Sequence, residues 1–184
     1  MSVRVGGRRG SAASLLDVAV EVLVAEPSAS LAEVAGIGRT TLHKHYATRD
    51  DVMRAAGHRA IDLWEEAIAL ADRSSAGDGG LRALAEAMVP IGAHLAFLWR
   101  NPMFDRDADI AQRLGIVEPQ ALAVLNRARA RGVLRGDVAE FWLLQTFYSL
   151  VYVAAESVRS GHLAPRDAPA LVVDTLVRGL GTPQ

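Results

Sequence analysis

Leu31-Ala-Glu-Val-Ala-Gly-Ile-Gly-Arg-Thr-Thr-Leu-His-Lys-His-Tyr46 is the stretch on which the reading of this chain turns. A short helix is expected to start at Ser30. Ser30 and Glu33 have the S-x-x-E spacing of a capping box, in which each side chain satisfies the other residue's free N–H. Gly36-Ile37-Gly38 interrupts that helix, and a second short one follows over Arg39–Tyr46. The pattern is a helix-turn-helix. The second helix has two apolar anchors, Leu42 and Tyr46, at i and i+4. Its other face carries Arg39, Thr40, Thr41, His43, Lys44 and His45. Those side chains suit DNA: Arg can bond a guanine edge bidentately, and Thr can bond a base or touch a thymine methyl. Thr, His and Lys can bond phosphate oxygens and fix the register. The free N–H groups at the helix N-terminus favour phosphate as well. The competing reading is a small surface helix with a solvated polar face.

Outward from this stretch the chain reads as helix throughout, and the fold class is all-α. Upstream, Leu16, Ala19, Val20 and Leu23 give the i, i+3, i+4, i+7 stripe of a buried helix over about 11–25. Glu26-Pro27 ends it, because proline disfavours helix in the residue before it. Downstream, Thr48 is expected to cap a long helix with Asp50 and Asp51 in its first turn. Its apolar stripe is Met53, Ala56, Ala60, Leu63, Trp64, Ala67 and Leu70, and it ends in the linker-like Ser74-Ser-Ala-Gly-Asp-Gly-Gly80.

A helix from Leu81 to Arg100 should kink at Pro90, which lacks an N–H and clashes with the preceding turn. A short helix over Asp107–Leu114 is expected next. Another should start with Pro119 as its first residue and end at Arg131 with Gly132 as C′ cap. Asp137 is expected to cap a helix running to Ser160, and a last helix covers about 167–180. The Val138–Ser160 helix is apolar nearly all round, so it must be covered on every face. A second subunit can supply that cover, and so can a central position in a monomer's core.

Over its 184 residues the chain is 51% apolar and 22% charged, ample for a core and unlike a disordered chain. It has no cysteine, which excludes disulfides, zinc ribbons and thiol nucleophiles. The net charge is −1, so a uniformly basic nucleic-acid coat is excluded. Residues 1–59 hold eight basic and six acidic groups, residues 60–184 twelve and fifteen: a slightly basic head on an acidic body. The single lysine, Lys44, lies in the head. The longest apolar run, Phe141–Ala155, is too short to span a bilayer, which takes about 20 residues. No signal peptide is recognisable. A cytoplasmic protein with no membrane partner is the expectation.

From Leu15 to Met53 the chain resembles the DNA-binding domain of the tetracycline-repressor (TetR) family of transcriptional regulators. Leu15-Leu-Asp-Val-Ala19, Leu31-Ala-Glu-Val-Ala35, Gly36–Tyr46 and Ala47-Thr-Arg-Asp-Asp-Val-Met53 carry the resemblance. Arg127-Ala-Arg-Ala-Arg-Gly-Val-Leu-Arg-Gly-Asp137, the apolar helix after it and Arg178-Gly-Leu180 resemble the family's ligand and dimer domain more loosely. The resemblance implies a helix-turn-helix domain over residues 1–50 and a helical ligand-binding and dimerisation domain over 51–184. It places Arg39 and Thr40 where bases are read, and Thr41, His43 and His45 where phosphates are held. Lys44 and Arg49 become further backbone contacts. His43 replaces the family's usual tyrosine. Arg4, Arg8 and Arg9 can form an arm to the DNA backbone or minor groove. The helix that starts at Ser30 is shorter before Gly36 than is usual in the family, which allows an alternative: a ligand- or partner-binding protein of the same fold with weakened or lost DNA binding.

Other constellations point away from enzymes and metals. Asp105-Arg-Asp-Ala-Asp109 opens like a calcium loop, but Ile110 and Ile116 stand where the glycine and the bidentate glutamate belong. A helix cap explains the run better. No HExxH, P-loop or GxSxG occurs, and no catalytic residues, metal ligands or cofactor are expected. On the Val138–Ser160 helix, Gln145, Tyr148, Ser149, Tyr152 and Glu156 share one face; they can line a pocket or form a polar seam between subunits. Gln145, Tyr148 and Tyr152, with His94, Phe97 and Phe104, are the candidate pocket for a small hydrophobic effector. His94 also reads as a hydrogen-bonded core histidine. The expected partners are therefore double-stranded DNA, such an effector, and a second copy in a homodimer.

Overall fold

The computed structural model describes residues 17–20, 22–23 and 46–180. The two short helices over 30–46, and with them Arg39, Thr40, Thr41, His43, Lys44 and His45, lie outside the described residues, as do Arg4, Arg8 and Arg9. Residues 17–20 and 22–23 are helical, and Ala19, Val20 and Leu23 are buried as their spacing requires.

Six α-helices follow: α1 (Arg49–Arg73), α2 (Leu81–Met88), α3 (Gly92–Arg100), α4 (Ala108–Ala130), α5 (Glu140–Arg159) and α6 (Ala168–Leu180). The described residues include no β-strand. α1 lies against α2, α3 and α4, while α5 packs on α3, α4 and α6. One contiguous apolar core joins Ala19, Val20 and Leu23 to Val52 and Met53 on α1 and continues through every later helix.

Thr48 caps α1 as expected. Its hydroxyl accepts from the Asp51 N–H at 3.1 Å, and its own N–H donates to the Asp51 carboxylate at 2.9 Å, a reciprocal box. The buried face of α1 differs from the expected stripe. Ile61 and Ile68 are buried, whereas Leu70 is exposed and Leu63 only half-buried. With α2, α3 and α4 all seated on α1, its apolar arc is wider than a single i, i+3, i+4 stripe.

Pro90 breaks the expected 81–100 helix through a 3-10 turn, Val89–Ile91, that separates α2 from α3. By length and composition Leu81–Arg100 is apolar enough to cross a membrane, but most of it is buried inside the fold. Immediately after the turn, Gly92 faces Ala155 of α5 so closely that a Cβ there would collide with the alanine methyl. That glycine sets how near α3 comes to α5.

Two expectations are corrected. Pro119 does not begin a helix: α4 runs unbroken from Ala108 to Ala130 with Pro119 inside it. The residue four back is Gly115, which has open space where a Cβ would stand. Buried Ile110 and Val117 on one side of Pro119 and Ala121, Val124 and Leu125 on the other hold both halves against the core. Tertiary packing outweighs the lost hydrogen bond. Asp137 does not cap α5 either. Ala139 occupies the N-cap without a side-chain bond, and Asp137 is engaged by Arg135 at 2.8 and 2.6 Å.

Helix ends elsewhere follow the sequence. Gly132, at φ 72°, closes α4: its N–H donates to Arg129 O (2.9 Å), and the Val133 N–H donates to Ala128 O (3.0 Å). The arginine run before it secures neighbouring loops. Arg127 reaches Asp72 and Gly79 O, Arg131 reaches Gly77 O, and Arg129 reaches Gly136 O and Val138 O.

Candidate functional site

α3 is the element around which several candidate site residues gather. It is nine residues long and presents different side chains to two regions. Toward residues 17–23 it offers His94, which is buried. His94 Nε2 lies 3.1 Å from Asp17 Oδ1, and the same carboxylate oxygen accepts from Arg59 Nε of α1 at 3.2 Å. His94 Nδ1 is buried with no hydrogen-bond partner among the described residues.

Toward α4 and α5, α3 walls a cavity of about 470 Å³. Its lining includes Ala96, Trp99 and Arg100 of α3, Glu118 of α4, and Gln145, Tyr148, Ser149, Tyr152 and Val153 of α5. A volume of about 300–1,000 Å³ is usual for a small-molecule site. The floor is aromatic. Trp99 and Tyr148 lie 4.8 Å apart at 34°, and the fully buried Trp64 meets both edge-on, at 5.7 and 5.3 Å. Arg100 donates to the Tyr152 hydroxyl at 2.8 Å, and its guanidinium stands 5.6 Å from the centre of the same ring.

Two polar groups of this wall lack partners. The Tyr148 hydroxyl is buried with no hydrogen bond, and burial, with the nearby Glu118 charge, pushes its pKa far up. Burial also raises the Glu118 carboxyl above the usual carboxylate range, because the charged form loses water there.

The structure therefore brings Gln145, Tyr148 and Tyr152 together in one cavity. Phe97 is elsewhere: it lines a second cleft, of about 370 Å³, with Leu23, Arg49, Met53, Arg100, Asn101 and Pro102. Phe104 is in the core, edge-on to Phe97 at 5.4 Å and packed over Gly57, where a Cβ would strike its ring. His94 faces Asp17 and does not line the cavity. Arg49 begins α1 and borders the second cleft. Trp99, Arg100 and Glu118 are cavity residues that periodicity on α5 could not reveal, because they arrive from α3 and α4. Arg100 and Ala96 belong to both the cavity and the cleft beside residues 17–23.

Asp107 acts as a helix cap, as its sequence setting suggests. Its carboxylate accepts from the N–H groups of Asp109 and Ile110, both at 3.2 Å, and from Arg54 Nε at 2.8 Å. Among the described residues no cluster of three metal-ligating side chains occurs.

An all-helical body joined at its N-terminal side to a helix-turn-helix sequence defines a class of transcription regulators. No family model matches the chain. It is 30% identical over 183 residues to the HTH-type transcriptional repressor LfrR of Mycolicibacterium smegmatis, a match spanning 97% of this chain and 93% of that one. The crystal structure of the TetR-like regulator LfrR in complex with proflavine superposes with a TM-score of 0.73 at 29% identity, covering 92% of this chain and 96% of the other. Mycobacterium smegmatis AmtR shares the fold, with a TM-score of 0.64 at 19% identity over 97% and 90% of the two chains. The chain belongs to the TetR family of transcriptional regulators.

Proposed function

We propose that the chain is a ligand-responsive repressor that binds a palindromic operator as a homodimer. Residues 1–50 form the DNA-reading head and residues 51–184 the ligand-binding and dimerisation body. In the head Arg39 and Thr40 read bases, while Thr41, His43, Lys44, His45 and Arg49 hold phosphates. A dimer would place its two second helices in successive major grooves, which is why the site is palindromic.

One observation carries the ligand response: α3 supplies both a wall of the aromatic cavity and, through His94, the grip on Asp17 of the head. A ligand seated against Trp99 and Arg100 favours one position of α3. A shift of α3 moves the His94–Asp17 contact and with it the head. The ligand acts only through its different affinities for the two positions. The LfrR complex with proflavine, a planar aromatic compound, supports an aromatic-lined cavity as the effector site.

Dimerisation rests on exposed apolar side chains. On α5, Phe141 is 74% exposed, Trp142 61% and Val153 57%, and on α6 Leu171 is 52% exposed. Large apolar groups left exposed on two helices that pack on one another favour a subunit contact over solvent. Ser149 and Val153 border both this face and the cavity mouth, so a partner would narrow the opening.

Fluorescence anisotropy of a labelled operator, titrated with the full chain at fixed salt, tests the reading. Binding that is reversed by an aromatic effector is expected; binding insensitive to every cavity ligand would overturn the ligand response.

A further inference from the structure

The cleft where the N-terminal helix meets the body has a chemistry unlike that of the aromatic cavity. Its volume is about 370 Å³. Its walls include Leu23 of the N-terminal helix, Arg49 and Met53 of the first two turns of α1, Phe97 and Arg100 of α3, and Asn101 just after α3. Leu23, Met53 and Phe97 are buried and give it an apolar floor. Both charged side chains that line it are arginines, and among the described residues no carboxylate does.

Most arginines of the α1–α4 face meet carboxylates directly. Arg54 bonds Asp107, Arg113 bonds Asp62 and Glu65, and Arg127 bonds Asp72. Arg100 differs. Its Nη1 donates to the neutral Tyr152 hydroxyl at 2.8 Å, and the carboxylate that feels its charge, Glu156, is paired closely with Arg159. Nε and Nη2 of Arg100 have no partner among the described residues. A guanidinium edge of this kind fits a carboxylate, two N–H groups to two oxygens. On the same rim the Asn101 side-chain oxygen accepts from the Met103 N–H at 3.1 Å, which leaves its NH2 group to donate into the cleft.

A cationic ligand would meet two like charges here and no counter-charge. A small inorganic anion would leave the apolar floor uncovered. An apolar tail ending in a carboxylate satisfies both parts. Arg100 is exposed, so water screens its pairing; the apolar contact supplies much of the affinity, and the charge decides which molecule is preferred.

We propose that this cleft is a second ligand site, separate from the aromatic cavity, that takes apolar monocarboxylates. Arg100 and Arg49 hold the carboxylate, and Leu23, Met53 and Phe97 receive the tail. Such a ligand bridges the N-terminal helix, α1 and α3. Its binding requires neither DNA nor an occupant in the aromatic cavity, so it is measured apart from operator recognition.

The test is calorimetry on the full chain, without DNA, using octanoate, its neutral amide octanamide, and acetate, which has the charge and no tail. Wild type should bind octanoate more tightly than octanamide by about fivefold or more, and acetate more weakly than either. Arg100→Gln and Arg49→Gln, each confirmed as folded by its melting curve, should bring the octanoate-to-octanamide affinity ratio toward one. Arg100→Lys and Arg49→Lys, which keep the charge and lose the fork, should retain part of it. Arg49 borders the cleft and not the aromatic cavity, so an unchanged ratio in folded Arg49→Gln would mean that octanoate sits elsewhere and overturns the proposal. A wild type that binds octanamide as well as octanoate, or binds neither, overturns it, as does acetate binding as tightly as octanoate.

Discussion

Asp17 Oδ1 lies 3.1 Å from His94 Nε2, a contact spanning 77 residues of sequence between the N-terminal helix and α3. It is half-buried on the Asp17 side, and Arg59 joins it from α1. Three elements thus meet at one carboxylate. If α3 transmits ligand occupancy, this junction is where the head receives it. Asp17→Asn and His94→Leu should leave the cavity able to bind ligand while reducing the ligand's effect on operator affinity. Allosteric coupling of this kind is typically about 1–3 kcal/mol, so most of a 5- to 150-fold effect should disappear. Operator anisotropy at several ligand concentrations measures it; full coupling in both variants would place the transmission elsewhere.

The aromatic floor of the cavity is also structural. Trp64 is fully buried in the core behind that floor, edge-on to both Trp99 and Tyr148. Trp64→Ala should cost about 3–5 kcal/mol in a denaturation experiment, because it leaves a void that rigid neighbours cannot fill. Trp99, half-buried at the cavity wall, should cost much less when truncated and should chiefly affect ligand binding.

Acid should destabilise the fold in a defined window. The Arg54 hydrogen bond, aided by backbone N–H donors, holds the Asp107 carboxyl low, and Thr48 does the same for Asp51. Arg135 holds Asp137 at about 2. Each group is depressed in the folded state, so its stabilisation is complete above the unfolded carboxylate value of about 4 and is lost as pH falls through the folded values. Urea midpoints should therefore hold steady from neutrality to about pH 5 and drop toward about pH 3. Asp107→Ala removes the α4 cap and should cost about 1–2 kcal/mol at neutral pH. The same substitution should flatten part of the acid response.

The exposed apolar face of α5 and α6 yields a hydrodynamic prediction. Trp142→Glu and Val153→Glu place a charge where a partner would bury it, at positions already exposed within one chain. Both variants should keep wild-type helicity and elute as monomers where the wild type elutes as a dimer. A wild type that is itself monomeric at working concentration would contradict the homodimer.

Much of the fold was legible because its signals are local. The Thr48–Asp51 box, the Pro90 break and the Gly132 cap each depend on a few adjacent residues whose backbone chemistry leaves little choice. Pro119 and Asp137 misled for the opposite reason. Packing on both sides of Pro119 carries α4 through it, and Arg135 captures the carboxylate that the spacing assigned to a cap. The cavity was half legible. Gln145, Tyr148 and Tyr152 share one helix face and could be grouped by period, whereas Glu118, Trp99 and Arg100 join them only through the crossing of three helices. Phe97 and Phe104 were grouped with them by apolar character, which does not distinguish a cavity wall from a packed core.

Within the head, two substitutions should separate reading from holding. Arg39→Ala should relax sequence preference at the base it bonds, at about 1–3 kcal/mol for a bidentate contact. Lys44→Ala should weaken all sequences alike and lower the salt slope by about one. Anisotropy on matched and mismatched duplexes over a salt series distinguishes these outcomes.

The most direct measurement of the central claim, that this chain is a sequence-reading repressor, is selection from a pool of random duplexes with the purified full chain at a stated salt concentration. Enrichment of a palindrome whose half-sites are one helical turn or a multiple apart is the expected result. A folded dimer that enriches no sequence would contradict it, and would favour a ligand- or partner-binding protein whose shortened helix before Gly36 no longer supports DNA reading.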